Sequence, residues 1–293
     1  MLELQKGLSL DRLKTFCLVV RAGSIAAAAV NDPNQQSQFS RQIKELEEVI
    51  GKQLVRKEGK EVKPTTAGLE LAALAGGFFA GLDELGAESG NRPIVLAGGE
   101  SIMRWVVLPG ISRLTNPMFR WNLRSMRTQR TLDALMNGTV DLGVVREDAV
   151  TDDFFTKPVG EIKYIWVFPR KLLPGRTAAG IYDAKRLPFA LLAGDGKLAR
   201  QIIEAAAKNE LRLDIRMELE SFSLLLEAVK TRNLGAVVPE KAVGELPQDE
   251  FAVIEDNQLA IPPRPLVLVA HAKTYELRPR LRKAFEECAR ILA

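Results

Sequence analysis

Between Gln36 and Gly51 the run QSQFSRQIKELEEVIG spaces its apolar residues Phe39, Ile43, Leu46 and Ile50 by four, three and four, the period of one buried helix stripe. On the opposite side Gln36, Ser40 and Lys44 fall in one row and Ser37 and Arg41 in the next, so amide, hydroxyl and cationic groups share a surface. Such groups read base edges and hold phosphates. For a helix standing alone an ordinary solvated face is the plainer reading, so its neighbours carry the argument. Downstream, KQLVRKEGKEVKPTTAG sets two short extended runs, Leu54 to Lys57 and Val62 to Lys63, around the turn Glu58-Gly59-Lys60. This reads as a β-wing, with Arg56, Lys57, Lys60 and Lys63 placed to approach a phosphate backbone.

The elements that must hold this surface precede it. Leu10, Leu13, Phe16, Cys17 and Val20 recur at helical spacing after Ser9, a capping residue, and Gly23 stops that helix. Ser24 caps a second, alanine-rich helix through Val30, and Asp32-Pro33 makes a start for the third. From Thr66 to about Glu88 the pattern is helical and apolar on more than one face, including Leu69, Ala72, Phe78, Phe79, Leu82 and Leu85. The wing alone cannot bury all of these, which predicts a dimer interface, with Phe79 and Leu82 on it. Glu70 and Asp83 interrupt the run and argue against a membrane span. GAESGNR, residues 86–92, reads as a hinge.

Composition sets the outer bounds. The 293 residues suit two unequal cores, and 41 basic against 37 acidic residues leave a formal charge of +4, compatible with an anionic partner without requiring one. Cys17 and Cys288 sit inside apolar helical patterns and read as core residues of a reducing compartment. The start MLELQKGLSLDR has neither the basic opening nor the apolar core of a secretory signal, so a cytoplasmic location is expected. One histidine, His271, and no Cys/His cluster leave no case for zinc, and no cofactor is expected.

Beyond Arg92, strand and helix patterns alternate: PIVLA, a helix from Ser101, WNLRSM, a helix to Asn137, then VDLGVV. A second unit follows with YIWVF, FALLA, a helix from Lys197, LDIRMELE, a helix from Ser221 and GAVV. PLVLVAH and RPRLRKAFEECARIL return to the first, giving two α/β lobes. Gly98-Gly99-Glu100-Ser101 follows its strand directly, so amides and the Ser101 hydroxyl there could hold an anion. Thr128 takes the equivalent place after Met126, while Gly194-Asp195-Gly196-Lys197 and Ser221 do so in the second lobe. Each hydroxyl could equally be a plain helix cap. Arg124, Arg127 and Arg130 crowd the Thr128 edge.

The run from Leu13 through Gly68, with RAGSIAAAA, FSRQIKELEEVIG and LVRKEGKEVKPTTAG, resembles the winged helix-turn-helix of LysR-type transcriptional regulators. It departs from that pattern at Asp32 and Asn34, where the family usually has apolar turn residues, at Ala26 and Ala27, and at Ser37 in place of proline. Residues 93–293 resemble, more loosely, the family's effector-binding domain, itself similar to periplasmic solute-binding proteins. The resemblance implies an α/β protein in three parts: a DNA-binding domain over 1–68, a linker and dimerisation helix over 66–88, and an effector domain over 93–293. Lobe I would be 93–160 with 267–293, and lobe II 161–266. It implies a homodimer or homotetramer on duplex DNA through Gln36, Ser37, Ser40, Arg41, Lys44, Arg56, Lys57 and Lys60. RNA polymerase is a further partner compatible with that role. An anionic effector would lie near Gly99, Ser101, Thr128, Lys197 and Ser221, with Ser101 and Thr128 central. A solute-binding protein or an enzyme of the same fold is the alternative, though neither a P-loop nor a G-x-S-x-G elbow appears, and within the regulator class the alternative is one that works without a ligand.

Overall fold

The computed structural model describes residues 8–58, 61–85, 92–113, 119–184, 186–193 and 197–293. Helix α1 (Leu10–Ala22) starts where the Ser9 hydroxyl accepts the Asp11 N–H and ends at Gly23, whose φ of 72° supplies the left-handed closing turn. Ser24 caps α2 (Ile25–Ala28) by accepting from the Ala27 N–H. That helix stops short of the expected Val30, because Val30 and Asn31 take positive φ, 49° and 62°. A β-branched residue is strained there. Asp32 accepts from the Asn34 and Gln35 amides and, with Pro33 in the first turn, opens α3 (Pro33–Ile50) where the sequence sets its start.

Strands β1 (Val55–Glu58) and β2 (Glu61–Pro64) pair antiparallel, with Val55 opposite Pro64 and Glu58 opposite Glu61. Leu54, expected in the first strand, is instead fully buried with Phe16, Cys17, Leu46 and Ala72. Gly59 and Lys60 of the turn lie outside the described residues, as does the Lys57 side chain. The Thr65 hydroxyl donates to the Gln53 carbonyl and accepts from the Gly68 N–H, tying the wing to α4 (Thr66–Leu85). A Cβ on Gly68 would lie 2.0 Å from the Leu54 carbonyl oxygen, so only glycine fits.

Helix α4 presents three faces. Ala72, Ala75 and, partly buried, Phe79 pack on the core of α1 and α3. Gly76, Gly77 and Gly81 face inward along a second line, where a Cβ on Gly77 would come 3.3 Å from a Leu277 methyl. Leu74, Phe78 and Leu82, four residues apart, form an exposed stripe at 43%, 44% and 47% exposure. The expected interface residue Phe79 therefore points into the core and Phe78 takes its place outside. The 86–91 part of the expected hinge lies outside the described residues.

Two compact units follow from the packing, one of residues 1–99, 110–158 and 267–293, the other of 100–109 and 159–266. In the first, β3 (Ile94–Gly98) runs parallel to β4 (Trp121–Ser125) and β5 (Leu142–Arg146). The connection from β3 passes through α5 (Glu100–Ile102), a π-helical turn Met103–Val107 and α6 (Leu108–Ile111), a run read in the sequence as one helix of the first lobe. Residues 100–109 pack with the second unit instead. Helix α7 (Thr128–Met136) lays Leu132 and Leu135 on Ala97, Val145 and Val269.

Strand β6 (Phe154–Pro169) runs from the first unit into the second. There β7 (Leu187–Leu192), α8 (Lys197–Lys208) and β8 (Leu213–Leu219) form a parallel β-α-β unit. Next come α9 (Phe222–Arg232), β9 (Ala236–Pro239) and β10 (Phe251–Ile254), the last two antiparallel to β6. Trp166, Phe168, Phe189 and Leu225 centre this core. Strand β11 (Ile261–His271) returns to the first unit and leads to α10 (Ala272–Leu277) and α11 (Pro279–Leu292). Strand β10 and helix α10 add to the elements expected from the sequence.

Both cysteines are buried thiols, and burial pushes Cys17 up to about 11 and Cys288 up to about 12, so neither ionises near neutral pH. His271 is buried edge-on to Phe154, and burial lowers its pKa. Among the described residues no helix is long and apolar enough to cross a membrane.

Candidate functional site

Helix α3 is anchored by Ile43 and Leu46, both buried, with Phe39 and Ile50 half-buried at the edges of the two small cores. The Thr15 hydroxyl donates to the Gln42 side-chain oxygen at 2.6 Å, fixing α3 against α1. With that stripe spent inward, Ser37, Ser40, Arg41 and Lys44 are exposed and Gln36 is half-buried. Asn34 and Gln35, ahead of Gln36, are exposed at the same end of the helix, as is Gln38. Arg41 is 75% exposed and only loosely paired with Glu45 at 3.7 Å, while Arg12 holds the other Glu45 oxygen at 2.7 Å. An exposed pair of that kind leaves the guanidinium free to exchange its partner for a phosphate.

One residue outside the sequence reading sets the wing. Glu47, on the half-buried side of α3, accepts the Leu54 and Val55 amides at 2.8 and 3.1 Å and so fixes where β1 departs from the helix. On the wing itself Glu58 pairs with Lys63 at 2.5 Å and with Arg56 at 3.3 Å. The hydrogen bond from Lys63 holds the Glu58 carboxyl below its usual range and raises the Lys63 ammonium in turn. Two of the wing's cations are thus partly neutralised by their own strand.

The expected effector residues divide between the units. Gly99 and Thr128 belong to the first unit; Ser101, Lys197 and Ser221 belong to the second. Thr128 is half-buried and opens α7, whose cap residue Arg127 supplies no side-chain acceptor. Arg124, Arg127 and Arg130 are exposed, and Arg124 also donates to the Thr139 carbonyl. Ser101 is buried at the second position of α5, and exposed Lys197 opens α8; Gly194–Gly196 lie outside the described residues.

Ser221 departs from its expected role. Its hydroxyl caps α9 by accepting from Leu224, and the next amides are already taken: Glu100 accepts from the Phe222 N–H at 2.9 Å, the Ser223 N–H at 3.2 Å and the Ser223 hydroxyl at 2.6 Å. The start of α9 therefore holds a carboxylate of this same chain. Arg104 and Trp105 complete the docking, Arg104 donating to Ser223 and Glu245 and the Trp105 indole N–H to Glu245. Among the described residues no three His, Cys, Asp or Glu side chains converge as a metal site requires.

Residues 10–69 match the family model described as a bacterial regulatory helix-turn-helix protein of the lysR family, and residues 87–293 match the LysR substrate binding domain. The chain is 33% identical over 146 residues to the HTH-type transcriptional regulator AbaB of Streptomyces antibioticus, a match spanning 47% of this chain and 48% of that one. It is 28% identical over 277 residues to the HTH-type regulator PecT of Dickeya dadantii, covering 86% of this chain and 84% of the relative. The solved structure of full-length LysG from Corynebacterium glutamicum with bound effector Arg superposes with a TM-score of 0.68 at 21% identity, covering 96% of this chain and 98% of that one.

The Glu58 pairing generates a direct expectation. Glu58→Gln releases Arg56 and Lys63, so the slope of log affinity against log salt on a duplex of random sequence should grow in magnitude by about 0.9 for each cation that then reaches a phosphate. An unchanged slope would place the wing off the DNA.

Proposed function

Because the chain belongs to the LysR family of bacterial helix-turn-helix transcriptional regulators, we propose that it binds duplex DNA in the cytoplasm through α3 in the major groove, with the wing on the backbone. The exposed row Ser37, Ser40, Arg41 and Lys44, on a helix anchored by buried Ile43 and Leu46, carries this reading. Its role is binding rather than catalysis, in keeping with relatives that are regulators. Gln36 and Ser40 read bases, whereas Arg41 and Lys44 hold phosphates. Residues 1–68 act as the DNA-binding domain, 66–88 as the linker and 93–293 as the effector domain.

Arg41→Ala and Lys44→Ala should each weaken binding to a duplex selected from genomic fragments and flatten the salt slope by about 0.9. Full affinity in both variants at matched salt would take α3 out of the interface.

The stripe of Leu74, Phe78 and Leu82 supports a homodimer, or a tetramer built from such dimers, since two half-sites about 34 Å apart need two recognition helices. Phe78→Glu with Leu82→Glu should yield monomers in sedimentation while leaving the fold intact. A variant that sediments like the parent protein would move the interface elsewhere.

For the effector, the start of α7 supports a small anion held by Thr128 and its amides. LysG with its bound Arg shows that a protein of this fold holds a small molecule. The Glu100 carboxylate on α9 favours a second reading, a regulator whose own side chain does the work of the ligand at that helix. A thermal-shift screen of small metabolic acids separates the two. A hit whose binding and effect on DNA affinity, coupled by roughly 1–3 kcal/mol, vanish in Thr128→Ala supports the first; no hit supports the second.

A further inference from the structure

The second unit contains a cavity of about 240 Å³ that shares no residue with the DNA surface or the effector positions above. Its existence follows from local backbone choices. The β6–β9 ladder ends at Tyr164 opposite Pro239, so residues 161–163 and the turn starting at Glu240 part company beyond it, with Ile162 in the opening. The π-helical turn Met103–Val107 brings Trp105 and Val106 to the same opening. Such turns are rare inside helices and recur at functional sites.

The Trp105 wall is fixed. Its indole N–H donates to Glu245 at 2.8 Å, its ring meets Phe222 edge-on at 6.1 Å, and the Arg104 guanidinium lies over it at 5.1 Å. Arg104 holds the other Glu245 oxygen, and Glu245 ends the helical turn that Glu240 and Lys241 begin. The wall and the charged lip are therefore parts of one braced assembly. Around the apolar floor stand charges of both signs: Glu161 and Lys163 neutralise each other at 3.3 Å, whereas Glu240 and Lys241 are exposed and have no ion-pair partner among the described residues.

From this we infer a second small-molecule site, for an apolar α-amino acid. The side chain would lie on Trp105, Val106, Ile162 and Pro239, the carboxylate on Lys241 and the ammonium on Glu240. The volume is below the roughly 300–1,000 Å³ of drug-sized pockets, which fits an occupant of that size. Neighbouring lip charges of opposite sign match a zwitterion better than a simple anion, which would meet Glu240 unpaired.

Calorimetric titration of the full chain tests this with L-phenylalanine and L-leucine as probes, and with 3-phenylpropionate and 2-phenylethylamine as analogues lacking the ammonium or the carboxylate. At least one amino acid should saturate below about 1 mM and each analogue bind about tenfold more weakly. Lys241→Gln and Glu240→Gln change exposed residues and should leave the circular dichroism spectrum as it is. Each should weaken amino-acid binding about tenfold, with Lys241→Gln sparing 2-phenylethylamine and Glu240→Gln sparing 3-phenylpropionate. No saturation by either amino acid up to about 10 mM, equal binding of the analogues, or indifference to both substitutions would overturn the site.

Discussion

Arg278 is 2% exposed and carries its charge into the first unit between two carboxylates, Glu84 on α4 at 2.8 Å and Asp141 at the head of β5. Burial works against that charge, and Asp141 and Glu84 outweigh it, so the guanidinium stays protonated with a raised pKa. Asp141 also accepts the Val95 amide, which ties the same ion network to the strand leading to Gly98. A buried pair of this kind contributes little net stability against an apolar substitute, yet removing one partner costs about 3–5 kcal/mol because the other charge is stranded. What it contributes is geometry. The helix that carries the DNA-binding module is held to one lobe at a defined angle and register.

The rest of α4 follows from that attachment. A helix clamped at Glu84 must let α10 come close, and the glycines at 77 and 81 leave room where larger side chains would crowd Leu277 and Thr274, while Gly76 faces Arg21. Each costs the isolated helix about 1 kcal/mol relative to alanine, which contact on both sides offsets. With one face on the helix-turn-helix core and another on α10, the third, Leu74, Phe78 and Leu82, is left to solvent in a single chain. Amphipathicity of the ordinary one-sided kind is absent here because two partners cover separate faces of one cylinder and a third apolar face stays exposed.

A second theme is that the chain answers its own charges. Glu58 covers Arg56 and Lys63 on the wing, Glu45 covers Arg12 and reaches Arg41, and Glu100 fills the start of α9. The net charge of +4 is thus a poor guide to where an anion could land. Among the described residues the start of α7 is one position where no carboxylate intervenes as a cap, and the exposed row of α3 is another place for an anion.

The sequence alone determined the elements and their order wherever period and punctuation agreed. Ser9, Gly23, Ser24, Asp32-Pro33 and Gly51 are local instructions, read by a few neighbouring backbone groups, and the helices begin or end on them. The alternation of strand and helix beyond Arg92 was legible for the same reason, since each pattern reports the burial of its own segment. Tertiary structure decided what depends on which side of an element meets a partner distant in the chain. Phe78 and Phe79 are adjacent and alike, and only packing on Leu71, Ala72 and Ala75 shows which is covered. The helix after Ser221 reads as an open start until Glu100 is seen to accept the Phe222 amide, 122 positions further on. Nothing beside Arg278 in the sequence marks it for burial, and only Glu84 and Asp141 closing around it show its place. Pairings of that sequence separation leave no local trace, because the energy that fixes them is realised only after the chain has folded.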